Sequence, residues 1–342
     1  MMRKLETELL RFDQLRTSLS SKFEVESVAE DLVVMSPKNL QSAYKFQAID
    51  GDRDVTLTLI GLIHGVEVAG VAVICDLMET LIKQDGLLNV KLGLGLGNRK
   101  AALLGKRFVD RDLNRSFARV ETATIEDVRA DELEILLRRS QNFLDFHQVK
   151  LHSPTPFWIF PYKKSSFDLA RNIDSTVPIV THWGRGFSSE GQCSDEFVNK
   201  TGGTGITIEL GKNGFDEIQI AKGVAVSLQA LQFLSQDQQR APYRENPNVN
   251  SAPIYTWAEI IPYPKTSLSV LRPDLSNFVE LKKGDVIGTF NGNDVTSPVD
   301  GWTLFPKYPD SITPSDTGVP PALEMLRIMK KIGVHDLPHG GH

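Results

Sequence analysis

The chain is poor in cysteine. Among 342 residues only Cys75 and Cys193 are cysteines, and neither belongs to a C-x-x-C pair. Two cysteines cannot build a disulfide framework. Because thiol redox enzymes and many cysteine-ligated zinc sites use C-x-x-C pairs, the lack of such a pair argues against both kinds of chemistry. The composition therefore argues against a disulfide-stapled secreted protein, and we expect a cytoplasmic location.

Long apolar runs and an excess of basic charge are also missing. No segment approaches the roughly 18 apolar residues of a membrane-spanning helix, and the charged N-terminal stretch lacks the apolar centre of a secretory signal. The net charge is -5, with acidic and basic residues interspersed. Nucleic acid and membranes are therefore not expected as partners, and a small molecule or short peptide is favoured.

Several catalytic motifs are absent as well. The sequence contains no G-x-S-x-G turn, which disfavours a serine hydrolase of that type. GLGLGN lacks the glycine spacing of a dinucleotide site, and neither GKR nor GKN has the surroundings of a phosphate loop.

Strand-like and helix-like segments alternate through the first two thirds of the chain. This alternation is typical of an α/β sheet with parallel strands covered by helices on both faces. The predicted strands lie near 23–35, 43–49, 55–63, 87–98, 142–149, 156–162, 178–182 and 205–211, and the predicted helices near 5–19, 70–84, 126–139, 167–174 and 216–235.

Changes of composition divide the chain into four parts. Residues 1–50 are expected to form a helix and strands packed on the main domain, 51–245. A polar, proline-bearing linker then leads to short strands separated by turns, which predicts a small all-β module at 253–310. The last part, 311–342, is expected to hold a helix at 320–332 and a disordered tail.

Four residues of metal-binding or acid–base type fall at the ends of predicted strands: His64, Glu67, His147 and Glu209. Ligands of α/β sheets gather outside the carboxyl ends of the strands, so these side chains are expected to converge. The H-x-x-E spacing lets an imidazole and a carboxylate face the same way. Because a catalytic zinc ion typically takes three protein ligands, His147 is the candidate third ligand.

Each of these residues also has an ordinary structural explanation. An H-x-x-E pair occurs by chance in many proteins, and His147 alone is more simply a buried histidine bonded to a carbonyl. Glu209 could pair with Lys212. Asp145 is equally consistent with a structural salt bridge and with support of a metal ligand.

The segment 97–117 is rich in charge and poor in hydrophobic periodicity. Such a segment is usually a solvated surface, yet Asn114 beside Arg115 offers a fork for a carboxylate, because guanidinium binds carboxylates bidentately. Lys200 and Arg185 are weaker candidates for a second carboxylate.

HGVE, RFVDRDLNRSF, the D-x-H of DFH, and GITIELG, in this order, resemble the succinylglutamate desuccinylase/aspartoacylase family over about residues 55–308. The resemblance implies an α/β fold with a zinc-carboxypeptidase-like mixed sheet covered by helices on both faces, and a small C-terminal all-β module. It makes 51–245 the zinc hydrolase domain.

The resemblance also assigns roles to individual residues. It implies one zinc ion (Zn2+) per chain held by His64, Glu67 and His147. Arg107 would polarise the scissile carbonyl, Glu209 would act as general base and acid, and Asn114 with Arg115 would clamp the substrate carboxylate.

Two features depart from the family pattern. Small or hydroxylated residues often follow the third ligand in the family, whereas Gln148, Val149 and Lys150 follow here. Tyr308 does not fall convincingly at the position of the tyrosine that the β module contributes in aspartoacylase-like members.

The expected function is zinc-dependent hydrolysis of a linear amide in an N-acyl amino acid or a similar small carboxylate-bearing substrate. A metallocarboxypeptidase acting on a peptide is the alternative among enzymes, and a non-catalytic zinc-containing binding protein the alternative of another class. The presence of both Glu209 and Arg107 favours catalysis. A homo-oligomer is compatible with the sequence, since the N-terminal helix offers a surface for a partner chain.

Overall fold

The structure is a computed structural model that describes residues 3–38, 53–235, 251–262, 269–307 and 324–338. Its helices are α1 (Leu5–Ser18), α2 (Ala69–Lys83), α3 (Arg99–Leu103), α4 (Ile125–Arg139), α5 (Lys164–Ile173), α6 (Ser194–Lys200) and α7 (Glu217–Ser235). Its strands are β1 (Phe23–Ala29), β2 (Leu32–Pro37), β3 (Val55–Gly61), β4 (Leu92–Leu96), β5 (Ser140–Val149), β6 (Phe157–Pro161), β7 (Ile179–His182), β8 (Thr204–Lys212), β9 (Ile254–Pro262), β10 (Ser269–Leu271), β11 (Glu280–Leu281), β12 (Val286–Phe290), β13 (Asn293–Thr296), β14 (Gly301–Leu304) and β15 (Glu324–Ile332).

Twelve strands form one mixed sheet in the order β1-β2-β4-β3-β5-β8-β6-β7-β9-β15-β14-β11. At its centre β4, β3, β5 and β8 run parallel, and β6 is antiparallel to β8. Strand β9 pairs with β7, so the C-terminal module continues this sheet, and β10-β12-β13 form a second, small one. The predicted mixed α/β fold with a C-terminal β module is confirmed.

The central strands are buried throughout because both faces of the sheet are covered. All seven residues of β3 and all ten of β5 are buried. Along β5, Leu144 and Phe146 face the core that holds α1, α2, α5 and α7, whereas Phe143 faces the core of α4 and α6. Parallel strands buried on two sides usually read as continuous apolar runs, and β3 does so apart from its two threonines, whereas β5 also carries Asp145 and His147.

The predicted helix at 320–332 is wrong. Residues 324–332 form β15, paired with β9 on one side and β14 on the other. Five consecutive residues, 325–329, are buried, and a run buried on both faces lacks the two-residue period that marks a strand in sequence.

The ends of the chain also differ from expectation. The predicted single strand at 23–35 is the hairpin β1–β2, and residues 334–336, expected to be disordered, form a 3₁₀ turn. The predicted strand at 43–49 lies outside the described residues. Within the described residues, no helix has the length and apolarity needed to cross a membrane.

The loop between α3 and α4 is organised by the carboxylate of Glu126, in the first turn of α4. Glu126 is fully buried and accepts hydrogen bonds from the backbone nitrogens of Val109 (2.6 Å), Asp110 (3.0 Å) and Arg111 (3.2 Å). It also accepts one from Asn98 Nδ2 at 2.9 Å. One side chain thus shapes the charged segment that the sequence singled out.

We predict that Glu126→Ala lowers the free energy of unfolding by about 3 kcal/mol or more, because each buried donor left without a partner costs about 1–3 kcal/mol. Urea denaturation measures this loss. Glu132→Ala, in the same helix, removes a half-exposed ion pair with Arg129 and is the matched control. Equal losses in the two variants would contradict the organising role of Glu126.

Candidate metal centre and active site

The carboxyl ends of three parallel strands bring the predicted site residues together. His64 follows β3 by three residues, and His147 lies near the end of β5, directly opposite Glu209 of β8 in the register of the sheet. This edge is where α/β sheets bind ligands.

His64 and Glu67 lie on a tight turn between β3 and α2. The backbone nitrogen of Glu67 donates to the carbonyl of His64 at 3.0 Å, so the pair lies on a turn that precedes α2. Gly65 is required here, because an added Cβ would lie 2.4 Å from the backbone nitrogen of Ala102. Its own nitrogen donates to the carbonyl of Arg107 at 2.9 Å, which joins the turn to the charged loop.

The three predicted metal ligands converge on one point. Glu67 Oε1 lies 2.8 Å from His64 Nδ1, and Glu67 Oε2 lies 2.8 Å from His147 Nδ1. The ligand atoms of the three residues are all within 4.8 Å of one another, and all three side chains are buried. The donor set of two imidazoles and one carboxylate suits a divalent transition metal.

The outer nitrogens of both histidines lie against carboxylates. His64 Nε2 is 2.9 Å from Asp112 Oδ1, and His147 Nε2 is 3.0 Å from Asp145 Oδ2, without the alignment of a hydrogen bond. Ser194 Oγ donates to Asp145 Oδ2 at 2.5 Å. A carboxylate on the far nitrogen is the usual support of a metal-binding histidine, since it keeps the proton there and leaves the near nitrogen as a ligand.

The charges of this cluster stabilise one another in the absence of a cation. Burial opposes ionisation of Glu67, but His64 and His147 hold the pKa of Glu67 below its ordinary value. Burial likewise opposes protonation of His147, yet Asp145 and Glu67 raise its pKa well above the ordinary value. Because metal ligands must be deprotonated, a metal ion would compete with a proton for these atoms.

Arg107 lies over the first two ligands. Its Nη1 donates to Glu67 Oε1 at 3.1 Å, its Nη2 is 2.8 Å from His64 Nε2, and its Nε donates to Asp112 Oδ2 at 3.3 Å. His64 Nε2 cannot donate to Asp112 and accept from Arg107 at once. The two contacts of His64 Nε2 are therefore alternatives that depend on the position of its proton.

Glu209 is buried beside the cluster. Its Oε2 has no hydrogen-bond partner among the residues that the structure describes. Burial raises the pKa of Glu209 to about 8, and Glu67 adds to this shift while His147 opposes it. A carboxyl group that can exchange a proton near neutral pH is suited to acid–base chemistry.

Asn114 and Arg115 lie on a 3₁₀ turn that follows Asp112, whose Oδ1 accepts from Asn114 N at 2.9 Å. Asn114 Oδ1 accepts from Ser194 N at 2.9 Å, and Arg115 Nη1 donates to Cys193 Sγ at 3.2 Å. The guanidinium packs over the ring of Phe187, 5.1 Å from its centroid. Arg115 Nε is buried and has no hydrogen-bond partner within the described part of the chain.

The weaker candidates have other contacts. Lys200 Nζ donates to Gln192 Oε1 at 3.4 Å on the surface, and Arg185 packs over the ring of Trp257. Tyr308 lies outside the described residues.

Sequence reasoning missed the supporting residues Asp112, Ser194 and Glu126. Asp112 has a weak signal, since it precedes the asparagine–arginine pair in VDRDLNR. Ser194 and Glu126 act through contacts with residues distant in sequence, which no local spacing reveals.

Residues 53–234, more than half of the chain, match the family model of the succinylglutamate desuccinylase/aspartoacylase catalytic domain. The chain belongs to this family. The resemblance seen in the sequence is thereby confirmed.

Relatives within the family support this assignment. A succinylglutamate desuccinylase of Serratia proteamaculans is 26% identical over 302 residues, which span 82% of this chain and 84% of that protein. The structure of a succinylglutamate desuccinylase from Vibrio parahaemolyticus superposes with a TM-score of 0.67 at 15% identity, covering 92% of this chain and 90% of that one. Murine aminoacylase 3 gives a TM-score of 0.62 at 20% identity, covering 83% and 97%. These structures share the fold.

We predict that metal-free protein, kept in chelator, loses stability as the pH rises above 6.5, the ordinary pKa of histidine. The folded pKa of His147 is raised above its unfolded value of 6.5, so its stabilising contribution is complete below 6.5 and is lost as the pH rises through the folded value. Burial lowers the pKa of His182 to about 3, so below pH 6.5 this residue makes the stability rise with pH. The measurement therefore starts above pH 6.5, where His182 is neutral in both the folded and the unfolded chain.

The measurement is the melting temperature of wild-type protein and of His147→Gln across this window. His147→Gln is expected to show a flatter dependence, whereas His335→Gln, on the surface, should follow wild type. Identical slopes for wild type and His147→Gln would show that His147 does not carry this proton.

Proposed function

We propose that this chain hydrolyses the amide bond of an N-acyl amino acid, or of a similar small carboxylate-bearing substrate, with one zinc ion held by His64, Glu67 and His147. The observation that carries the proposal is the Glu67 carboxylate between two imidazole Nδ1 atoms, each 2.8 Å away, with Glu209 beside them. Membership of the desuccinylase/aspartoacylase family supports the reaction class.

The donor set fits a catalytic zinc ion. Two histidines and one glutamate are a known set for such sites and leave a coordination position open. Carboxylates on the outer nitrogens of both histidines fit the same interpretation. When bound, zinc supplies Lewis acidity at this point.

Glu209 is the proposed general base and acid. Its buried carboxyl, with a pKa raised to about 8 in the metal-free chain, can take a proton from the attacking water and return it to the leaving amine. Positive charge close by would lower this pKa and favour the base form at the start of the reaction.

Arg107 is the proposed stabiliser of the carbonyl oxygen. Its side chain is 39% exposed, so it can leave Glu67 and His64 when a cation takes its place and turn towards substrate. There it would donate to the oxygen that becomes negative in the transition state, a contact worth on the order of 3 kcal/mol.

Asn114 and Arg115 are the proposed clamp for the substrate carboxylate. Since Asn114 Oδ1 already accepts from Ser194 N, its amide NH2 is the end that remains to donate. Together with Arg115 Nε it offers donors of the kind that bind a carboxylate.

Both cysteines of the chain are free thiols, which fits the proposed cytoplasmic location.

A substrate panel tests the proposal against its alternatives. We expect zinc-loaded protein to cleave at least one N-acetyl or N-succinyl amino acid with kcat/KM well above that for dipeptides. Preferential cleavage of dipeptides would instead indicate a metallocarboxypeptidase. Absence of cleavage across the whole panel, with zinc bound, would favour a binding protein.

We predict that Glu209→Gln lowers kcat by about 10²- to 10⁴-fold, the usual contribution of a general acid–base group. Metal analysis should still find about one zinc ion per chain, because Glu209 is not a ligand in this account. Glu217→Gln, at an exposed position of α7, is the control and should keep full activity. Unchanged kcat in Glu209→Gln would remove Glu209 from the mechanism.

A further inference from the structure

We propose that Gln148 is a positioning residue that fixes the metal ligand Glu67 relative to the strand that carries Glu209, and so sets the metal affinity of the site. The inference rests on the zinc site proposed above. It assigns a role to the residue that departs from the family pattern, the bulky polar side chain directly after His147.

Gln148 holds Glu67 and the start of α2. Its backbone nitrogen donates to Glu67 Oε2 at 3.1 Å, and its Oε1 accepts from Ala69 N at 3.0 Å. Ala69 is the first residue of α2, whose N-cap, Val68, offers no side-chain hydrogen bond. The first nitrogens of a helix have no partner within it, so Gln148 supplies from a neighbouring strand the acceptor that a capping residue normally provides.

The same side chain holds the exit of β8. Gln148 Nε2 lies 2.9 Å from the carbonyl oxygens of Lys212 and Gly214 and 2.7 Å from Gln219 Oε1, so its two hydrogens are shared among three acceptors. Gln219 Nε2 in turn donates to the Lys212 carbonyl at 3.1 Å.

A bulge in β8 makes this contact necessary. Between the pairs His147–Glu209 and Val149–Lys212, β8 contains one more residue than β5. Such an insertion disrupts the ladder and leaves backbone groups without strand partners. Gly211 lies in this bulge with φ 142°, where an added Cβ would lie 2.8 Å from the side chain of Gln219. Gln148 therefore ties the segment just after Glu209 to the turn that carries Glu67.

The side chain of Gln148 lies on the opposite face of the sheet from the site. Side chains alternate along a strand, so Gln148 points to the face of β5 opposite His147. It is 3% exposed, and its side chain contacts α2, α7, the end of β8 and Gly214 in the turn that follows β8. Its loss would leave the buried Ala69 N without this acceptor and would remove an amide donor from the Lys212 and Gly214 carbonyls, and the start of α2 could then shift with Glu67.

The test measures zinc affinity in Gln148→Met by competition with a chelator of known affinity. We expect zinc to bind about 10- to 100-fold more weakly, the usual effect of removing a group that orients a metal ligand. Hydrogen exchange at the start of α2 should be faster in the variant, because Ala69 N loses its acceptor.

Gln141→Met is the matched control. Gln141 lies at the opposite end of β5, is also buried, and donates to the Arg53 carbonyl at 3.0 Å. It should keep the wild-type zinc affinity within about twofold, since it lies far along the strand from the ligands. If Gln148→Met does not fold, Gln148→Asn retains an amide that is too short to reach Ala69, and it should show the same loss.

The outcomes separate this inference from the proposed function. Wild-type protein that fails to bind zinc contradicts the metal site itself, and with it the inference. Wild-type affinity in a folded Gln148 variant overturns only the positioning role. Loss of folding in both Gln148 variants, not shared by Gln141→Met, would assign Gln148 to folding alone and would also overturn it.

Discussion

The carboxylate of Glu67 lies between two imidazoles, with one oxygen 2.8 Å from each Nδ1 atom. A buried carboxylate is costly unless it is paired, and here its partners are His64 and His147, each held at its far nitrogen by another carboxylate. Arg107 completes the cluster in the absence of a cation. The geometry of the proposed catalytic groups depends on this arrangement, since Arg107 contacts Glu67 and His64, and Glu209 lies opposite His147 in the sheet.

The fold supplies this arrangement through close backbone contacts. Parallel β3, β5 and β8 end at one edge of the sheet, which brings the ligands and Glu209 within reach of each other. Gly65 lets the turn that carries His64 and Glu67 lie against α3. The buried Glu126 shapes the loop between α3 and α4, which carries Arg107. Gln148 joins the turn to β8 from the other side of the sheet. The positions of the site residues are thus set by contacts between segments that are distant in the sequence.

Sequence reasoning predicted the alternating core well because strand-like and helix-like segments alternate between β3 and α7, and β3 and β5 are buried on both faces. It also predicted which ligand residues meet, from the order of short motifs along the chain. It misread β15 as a helix, because its apolar residues have no two-residue period. Gln148 was unpredictable as a support, since its partners are set by the bulge in β8.

X-ray absorption at the zinc edge of the loaded protein tests the central claim most directly. The account predicts two imidazole nitrogens and carboxylate oxygen at about 2.0–2.2 Å, with no sulfur near 2.3 Å. It also predicts that His147→Gln loses one of the two imidazole signals. A spectrum with one imidazole or none, or one that His147→Gln leaves unchanged, would contradict the assignment of His64, Glu67 and His147 as the ligands.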